Sequence, residues 1–169
     1  MALMWAVGAS GEQLDILMPP HKTTREDTYL CTSVRVPGTR GYKLTAVEPH
    51  TEMKIAHHML LFGCHGEPNN PQDVERDGVW ECHHVTACKG EQEAVLYGWG
   101  RNAPKLELPD GVGFSVGGEG GLNHLVLQVH YLQVRPPDDH SGVSLTLSTE
   151  AYKYSAGMMA YAINFKVPP

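Results

Sequence analysis

No stretch of this chain sustains a 3.6-residue apolar repeat bounded by helix caps, and that constrains the fold more than any single motif. What recurs is short runs of β-branched and aromatic residues stopped by Pro, Gly or polar turns, at roughly the 8–12-residue spacing of sandwiches and barrels. Leu14–Met18 is a short apolar run ending at Pro19-Pro20, and a polar loop leads from there to Asp27. Thr28–Val36 is halted by Pro37-Gly38. Gly41–Glu48 alternates, and a run from Glu52 to Phe62 follows a break at Pro49-His50. Residues 67–77 have the Asn, Pro and acidic composition of a surface loop. Ala94–Gly100 reads as a strand, and Asn102–Gly121, dense in glycine, as turns and short strands. Leu125–Tyr131 is the clearest strand, Gly142–Leu147 alternates again, and Gly157–Val167 is read as the last strand before Pro168-Pro169. The pattern predicts an all-β domain without internal repeats.

At 169 residues the chain supports one domain with a real core, since domains of ~150 residues bury roughly 70% of their unfolded surface. No apolar run approaches the ~20 residues of a membrane span. The opening Met1–Ala9 is apolar but lacks a basic start, so it is read as an artificial start, a truncated leader or a local first strand. Net charge is −6 with histidine neutral, and the basic residues are scattered, which excludes nucleic acid as a partner. The 4 cysteines, Cys31, Cys64, Cys82 and Cys88, include no CxxC pair. That argues against a zinc ribbon and for disulfides, with three connectivities open, formed in an oxidising compartment.

The 10 histidines include a doublet, His57-His58, between Ile55-Ala56 and Met59-Leu60-Leu61-Phe62. Buried imidazoles need partners, and a metal ion is the strongest reason to place two there. Neighbouring strand residues point to opposite faces, so both reach one ion only at a strand end, a bulge or a twisted edge. His130 is the third candidate, because Leu125, Leu127 and Val129 share one face of their strand while Val126, Gln128 and His130 share the other. Three neutral imidazoles suit copper, zinc or iron, and without thiolate or carboxylate they lean towards copper or zinc. The pattern alone leaves open that one histidine caps a core edge and the other faces water. His83-His84 lies in a polar, cysteine-flanked segment and is read as solvated, and Met59 as core. The glycine clusters at 111–113 and 117–121 have no helix after them, so they do not form a phosphate-cradling loop.

Several separated blocks carry a resemblance. They are Thr28-Tyr29-Leu30-Cys31, Ala56 to Cys64, Arg101-Asn102-Ala103-Pro104, Leu108 to Phe114 with Val116-Gly117-Gly118-Glu119, and Leu127-Gln128-Val129-His130-Tyr131. Together they resemble the amino-terminal copper domain of the peptidylglycine α-hydroxylating monooxygenases, in the copper type II, ascorbate-dependent monooxygenase family. The likeness runs from about Leu14 to Pro169, leaving residues 1–13 as an amino-terminal extension or leader remnant. It implies a disulfide-bonded antiparallel β-sandwich, jelly-roll-like, with one copper ion cycling between Cu(I) and Cu(II) on His57, His58 and His130. It implies disulfides Cys31–Cys82 and Cys64–Cys88, ascorbate as electron donor, and a place in the secretory pathway, in granules or outside the cell. Tyr29 and Gln128 are candidates for the electron path or for support of the ligands.

The resemblance also implies what lies elsewhere. The family's second copper site, where oxygen and substrate react, uses a His-x-His element, and none occurs in this sequence. The expectation is therefore that the second catalytic domain is absent, and that this chain alone does not turn over a glycine-extended peptide. The face that domain would cover is then available for self-association. The family's further bridge to the amino-terminal arm is lost, since His140 stands at one partner's position and residues 1–30 hold no cysteine; the arm is expected to be less firmly attached. The alternatives are a stand-alone β-sandwich copper-binding or interaction module, and a three-histidine zinc enzyme, for which no general base can be named.

Overall fold

In the computed structural model the described residues are 5–8, 11–36, 40–69, 78–82, 87–90 and 93–159. They contain no helix. The strands are β1 (Trp5–Gly8), β2 (Gly11–Leu17), β3 (Thr28–Arg35), β4 (Gly41–His50), β5 (His58–Cys64), β6 (Trp80–Glu81), β7 (Ala94–Gly100), β8 (Leu106–Glu107), β9 (Val112–Gly117), β10 (His124–Tyr131), β11 (Gly142–Ser148) and β12 (Tyr154–Ser155). One sheet has 7 strands in the order β1-β2-β11-β4-β9-β12, with β8 also on β4; the other has 5, in the order β6-β3-β10-β5-β7. Pairing is antiparallel except between β9 and β12. The molecule is an all-β sandwich.

Strand alternation builds the core. Val143, Leu145 and Leu147 of β11, with Leu14 and Ile16 of β2, face Leu125, Leu127 and Val129 of β10 and Met59 and Leu61 of β5, all buried in one apolar cluster. The opposite face of the 5-stranded sheet carries a second, smaller cluster of Cys31, Phe62, Cys64, Trp80, Cys82, Ala87, Cys88 and Val126. Disulfides Cys31–Cys82 and Cys64–Cys88 bind that outer layer to β3 and β5. A β-strand buried on both faces reads as a near-continuous apolar run, which is why Leu125–Val129 stands out in the sequence.

The bridges enclose separations of 51 and 24 residues. By loop-closure entropy, removing the first by a double Cys→Ala change is expected to cost about 4 kcal/mol and removing the second about 3.5 kcal/mol. Guanidinium unfolding of the two double variants checks the values and their order. Equal stability of either variant and the parent would refute this accounting.

The structure adds to the sequence reading in three segments. The break placed at Pro49-His50 lies later: β4 runs through His50, and the chain turns over 51–57 before β5. Pro49 is tolerated because the β8 pairing ends at Val47, so at that point β4 has only β11 beside it and no second ladder is broken. The opening residues include a first strand, β1 paired to β2, and β2 begins at Gly11. The arm that lacks its cysteine is nonetheless tied down: the Arg135 guanidinium donates to the carbonyls of Met18, Pro19 and His21 at 3.2, 2.9 and 2.9 Å, and Met18 N–H donates to Ser141 O at 2.8 Å. His83-His84 and most of the strand expected over Gly157–Val167 lie outside the described residues.

Candidate metal centre

The site lies at one end of the 5-stranded sheet, on its disulfide-bearing face. His58, the first residue of β5, pairs directly with His130 of β10, and His130 pairs with Tyr29 of β3 on its other side. Direct cross-strand partners share a face, so Tyr29, His130 and His58 form one row. His57 sits just before β5 and is released from strand alternation. Its backbone N–H donates to His130 O at 2.8 Å, which places its side chain over the same row. The doublet thus reaches one point from a strand end. The register shift between β5 and β7 falls at Leu61/Phe62, away from the histidines.

The turn before His57 is itself held. Ile55 and Ala56 N–H groups donate to Glu52 O at 2.8 and 3.0 Å, and Met53 N–H donates to Asn102 Oδ1 at 2.8 Å. Asn102 and Arg101 have left-handed backbone, with φ of 55° and 52°, a conformation that Asn tolerates better than most residues. Trp99 Nε1–H closes the same loop onto Ala103 O at 3.0 Å. The Arg-Asn-Ala-Pro block therefore braces the His57 turn, a role that sequence reasoning did not assign to it.

The three Nδ1 atoms stand 3.2 Å (His57 to His58), 3.2 Å (His57 to His130) and 3.4 Å (His58 to His130) apart. The point equidistant from them lies about 1.9 Å from each nitrogen, close to the ~2.0–2.1 Å of a metal–imidazole bond. Each ring nitrogen offers one in-plane proton or lone pair. Three meeting at one point set lone pair against lone pair or proton against proton, a conflict that a cation removes. No other His, Cys, Asp or Glu joins this group among the described residues.

Burial is graded across the site: His130 is buried, His58 half-buried and His57 exposed. The His130 ring is sandwiched by contacts that fix it. Tyr29 stacks on it at 3.9 Å between centroids and 7° between planes, and its Nε2 lies 2.7 Å from Asp27 Oδ1, within hydrogen-bond distance. Burial first, and then the Asp27 carboxylate, hold the Tyr29 phenol above its ordinary pKa, so Tyr29 is a neutral plate. Gln128, two residues before His130 on the same face, is buried and directs Nε2 to Cys82 Sγ at 3.6 Å. It lies against the Cys31–Cys82 bridge. In the sequence Asp27 is only the end of a polar loop, with no signal of its place beside His130 beyond its position before Thr28-Tyr29.

Residues 13–136 match the family model described as copper type II ascorbate-dependent monooxygenase, N-terminal domain. The chain belongs to this family of copper enzymes, whose donor is ascorbate, and the three imidazoles are a donor set that fits one copper ion. It is 40% identical over 167 residues to peptidyl-glycine alpha-amidating monooxygenase B of Xenopus laevis, covering 96% of this chain and 18% of that protein. It is 39% identical over 168 residues to the peptidyl-glycine alpha-amidating monooxygenase of Mus musculus, covering 96% and 16%. Dopamine beta-hydroxylase of Equus caballus is 27% identical over 168 residues, covering 92% and 26%. The chain spans under a fifth of the length of the two amidating relatives.

Proposed function

We propose that this chain is the electron-transfer copper domain of a peptidylglycine α-hydroxylating monooxygenase, with His57, His58 and His130 as ligands of one copper ion through Nδ1. The observation that carries this reading is the convergence of the three Nδ1 atoms at 3.2–3.4 Å. When bound there, copper supplies one-electron chemistry between Cu(II) and Cu(I), with ascorbate as the donor.

The residues do the rest. His130, held by Tyr29 and Asp27, is the fixed ligand; His58 is set by its place in β5; and exposed His57 leaves the site an open side for an electron donor. Three imidazoles without thiolate or carboxylate serve both oxidation states without exchanging ligands. Met53, Leu132 and Val134, exposed at 59%, 45% and 49%, lie in the chain beside the His57 turn and just past His130. They fit a face covered by the second copper domain, where the glycine-extended peptide would bind and react. Two disulfides support passage through an oxidising, secretory compartment.

The test is reconstitution. The copper-loaded chain is reduced with ascorbate and mixed with a separately produced second copper domain and a glycine-extended peptide. Hydroxyglycine product is expected only when both domains are present. Product formed equally well without this chain would refute the reading, and reduction with no turnover in the mixture would favour a stand-alone copper module.

A further inference from the structure

We propose that Asp27 is a positioning residue for the copper site: it fixes the proton of His130 on Nε2 and lowers the reduction potential of the bound metal. This rests on the three-histidine reading above and deepens it. A carboxylate only accepts, so the 2.7 Å contact between His130 Nε2 and Asp27 Oδ1 assigns the ring N–H to Nε2. Nδ1 then keeps its lone pair, and Nδ1 is the atom that faces His57 and His58. Tyr29 sets the plane of the ring by stacking, while Asp27 sets its rotation within that plane.

The backbone is shaped for this contact. Asp27 has φ of 53°, an uncommon value for a residue other than glycine but one that Asp tolerates. Its N–H donates to Leu132 O at 3.3 Å, two residues beyond His130, and the next residue closes the turn, Thr28 Oγ1–H donating to Arg25 O at 3.0 Å. Folding gains little from the carboxylate: its side chain is 76% exposed, and such pairs contribute little to stability. Its effect falls on the imidazole. A carboxylate accepting the distal N–H of a ligand histidine makes that ligand more basic, which favours Cu(II) over Cu(I).

Asp27→Gly removes the acceptor yet keeps φ of 53° cheaply; Asp27→Asn keeps shape and an acceptor oxygen but not the charge. Nitrogen-15 NMR of the metal-free chain is expected to show the Nε2–H tautomer of His130 in the parent and in Asp27→Asn, and a mixture in Asp27→Gly. In Asp27→Gly, Cu(II) affinity is expected to fall about 10-fold with Cu(I) affinity unchanged, which raises the midpoint potential by about 59 mV for a one-electron couple; Asp27→Asn falls between. An unmoved midpoint in fully copper-loaded Asp27→Gly, or an Nδ1–H tautomer in the parent, overturns the inference alone. A parent chain that takes up no copper overturns the functional reading, and the inference with it.

Discussion

Replacing His130 by alanine is expected to abolish stoichiometric copper binding while leaving the sandwich folded. His130 is the proposed ligand with the most support: it is buried, stacked on Tyr29, bonded to Asp27 and paired in register with His58. Loss of a residue that merely orients a ligand costs roughly 10–100-fold in metal affinity, so loss of the ligand itself should cost at least about 100-fold. Its side chain lies on the outer face at the end of β10, away from the inter-sheet core formed by Leu125, Leu127 and Val129, so the fold should persist. Equilibrium dialysis with copper, with circular dichroism and disulfide content as controls, reads both parts. Copper content equal to the parent's would remove His130 from the site.

Arg135→Ala carries the largest expected loss of stability for a single substitution. The guanidinium is buried and uses every N–H: Nε to Asp139 Oδ2 at 2.9 Å, Nη2 to Asp139 O at 2.6 Å, and the rest to the arm at residues 18–21. Truncation leaves the Asp139 carboxylate buried without its cation, a change that costs about 3–5 kcal/mol. The same network explains why an arm without its bridging cysteine is still attached. It also reaches towards the site, since Tyr131, adjacent to His130, donates its hydroxyl to Asp139 Oδ2 at 2.7 Å.

The pH dependence has a definite sign. Burial pushes the Asp139 carboxyl up, but hydrogen bonds from Ser141, Tyr131 and Arg135 outweigh it and hold it below the ordinary value. A depressed carboxyl contributes stability that is fully present above the unfolded pKa of ~3.9 and is lost as pH falls through the lower folded value. The gap between the parent and Arg135→Ala should therefore be widest above about pH 4 and narrow below it. Urea unfolding at pH 7 and at pH 3 measures it; a gap independent of pH would contradict the role given to Asp139.

How much was legible follows from the kind of physics each feature rests on. Fold class was readable because alternation in β11 and the buried run in β10 are local patterns. The edge of β4 was not, because Pro49 looks like a stop until one knows that the β8 pairing of β4 ends at Val47. The histidine doublet was informative for a geometric reason: strand alternation cannot aim both rings at one point, so a strand end was among the few solutions. The disulfide pairing came from the resemblance, since four cysteines alone leave three connectivities. Asp27 and Asn102 stayed hidden because each acts through a left-handed backbone and a contact distant in sequence, to His130 and to Met53 N–H.

The proposed function requires that this chain hold one copper ion on three imidazoles. X-ray absorption at the copper edge, on the chain loaded with Cu(II), cleared of excess metal and then reduced with ascorbate, tests it most directly. One copper per chain is expected in both states, with three imidazole nitrogens at ~2.0 Å and no sulfur. No retained copper, or a copper bound by sulfur or by fewer than three imidazoles in the Cu(II) form, would contradict it.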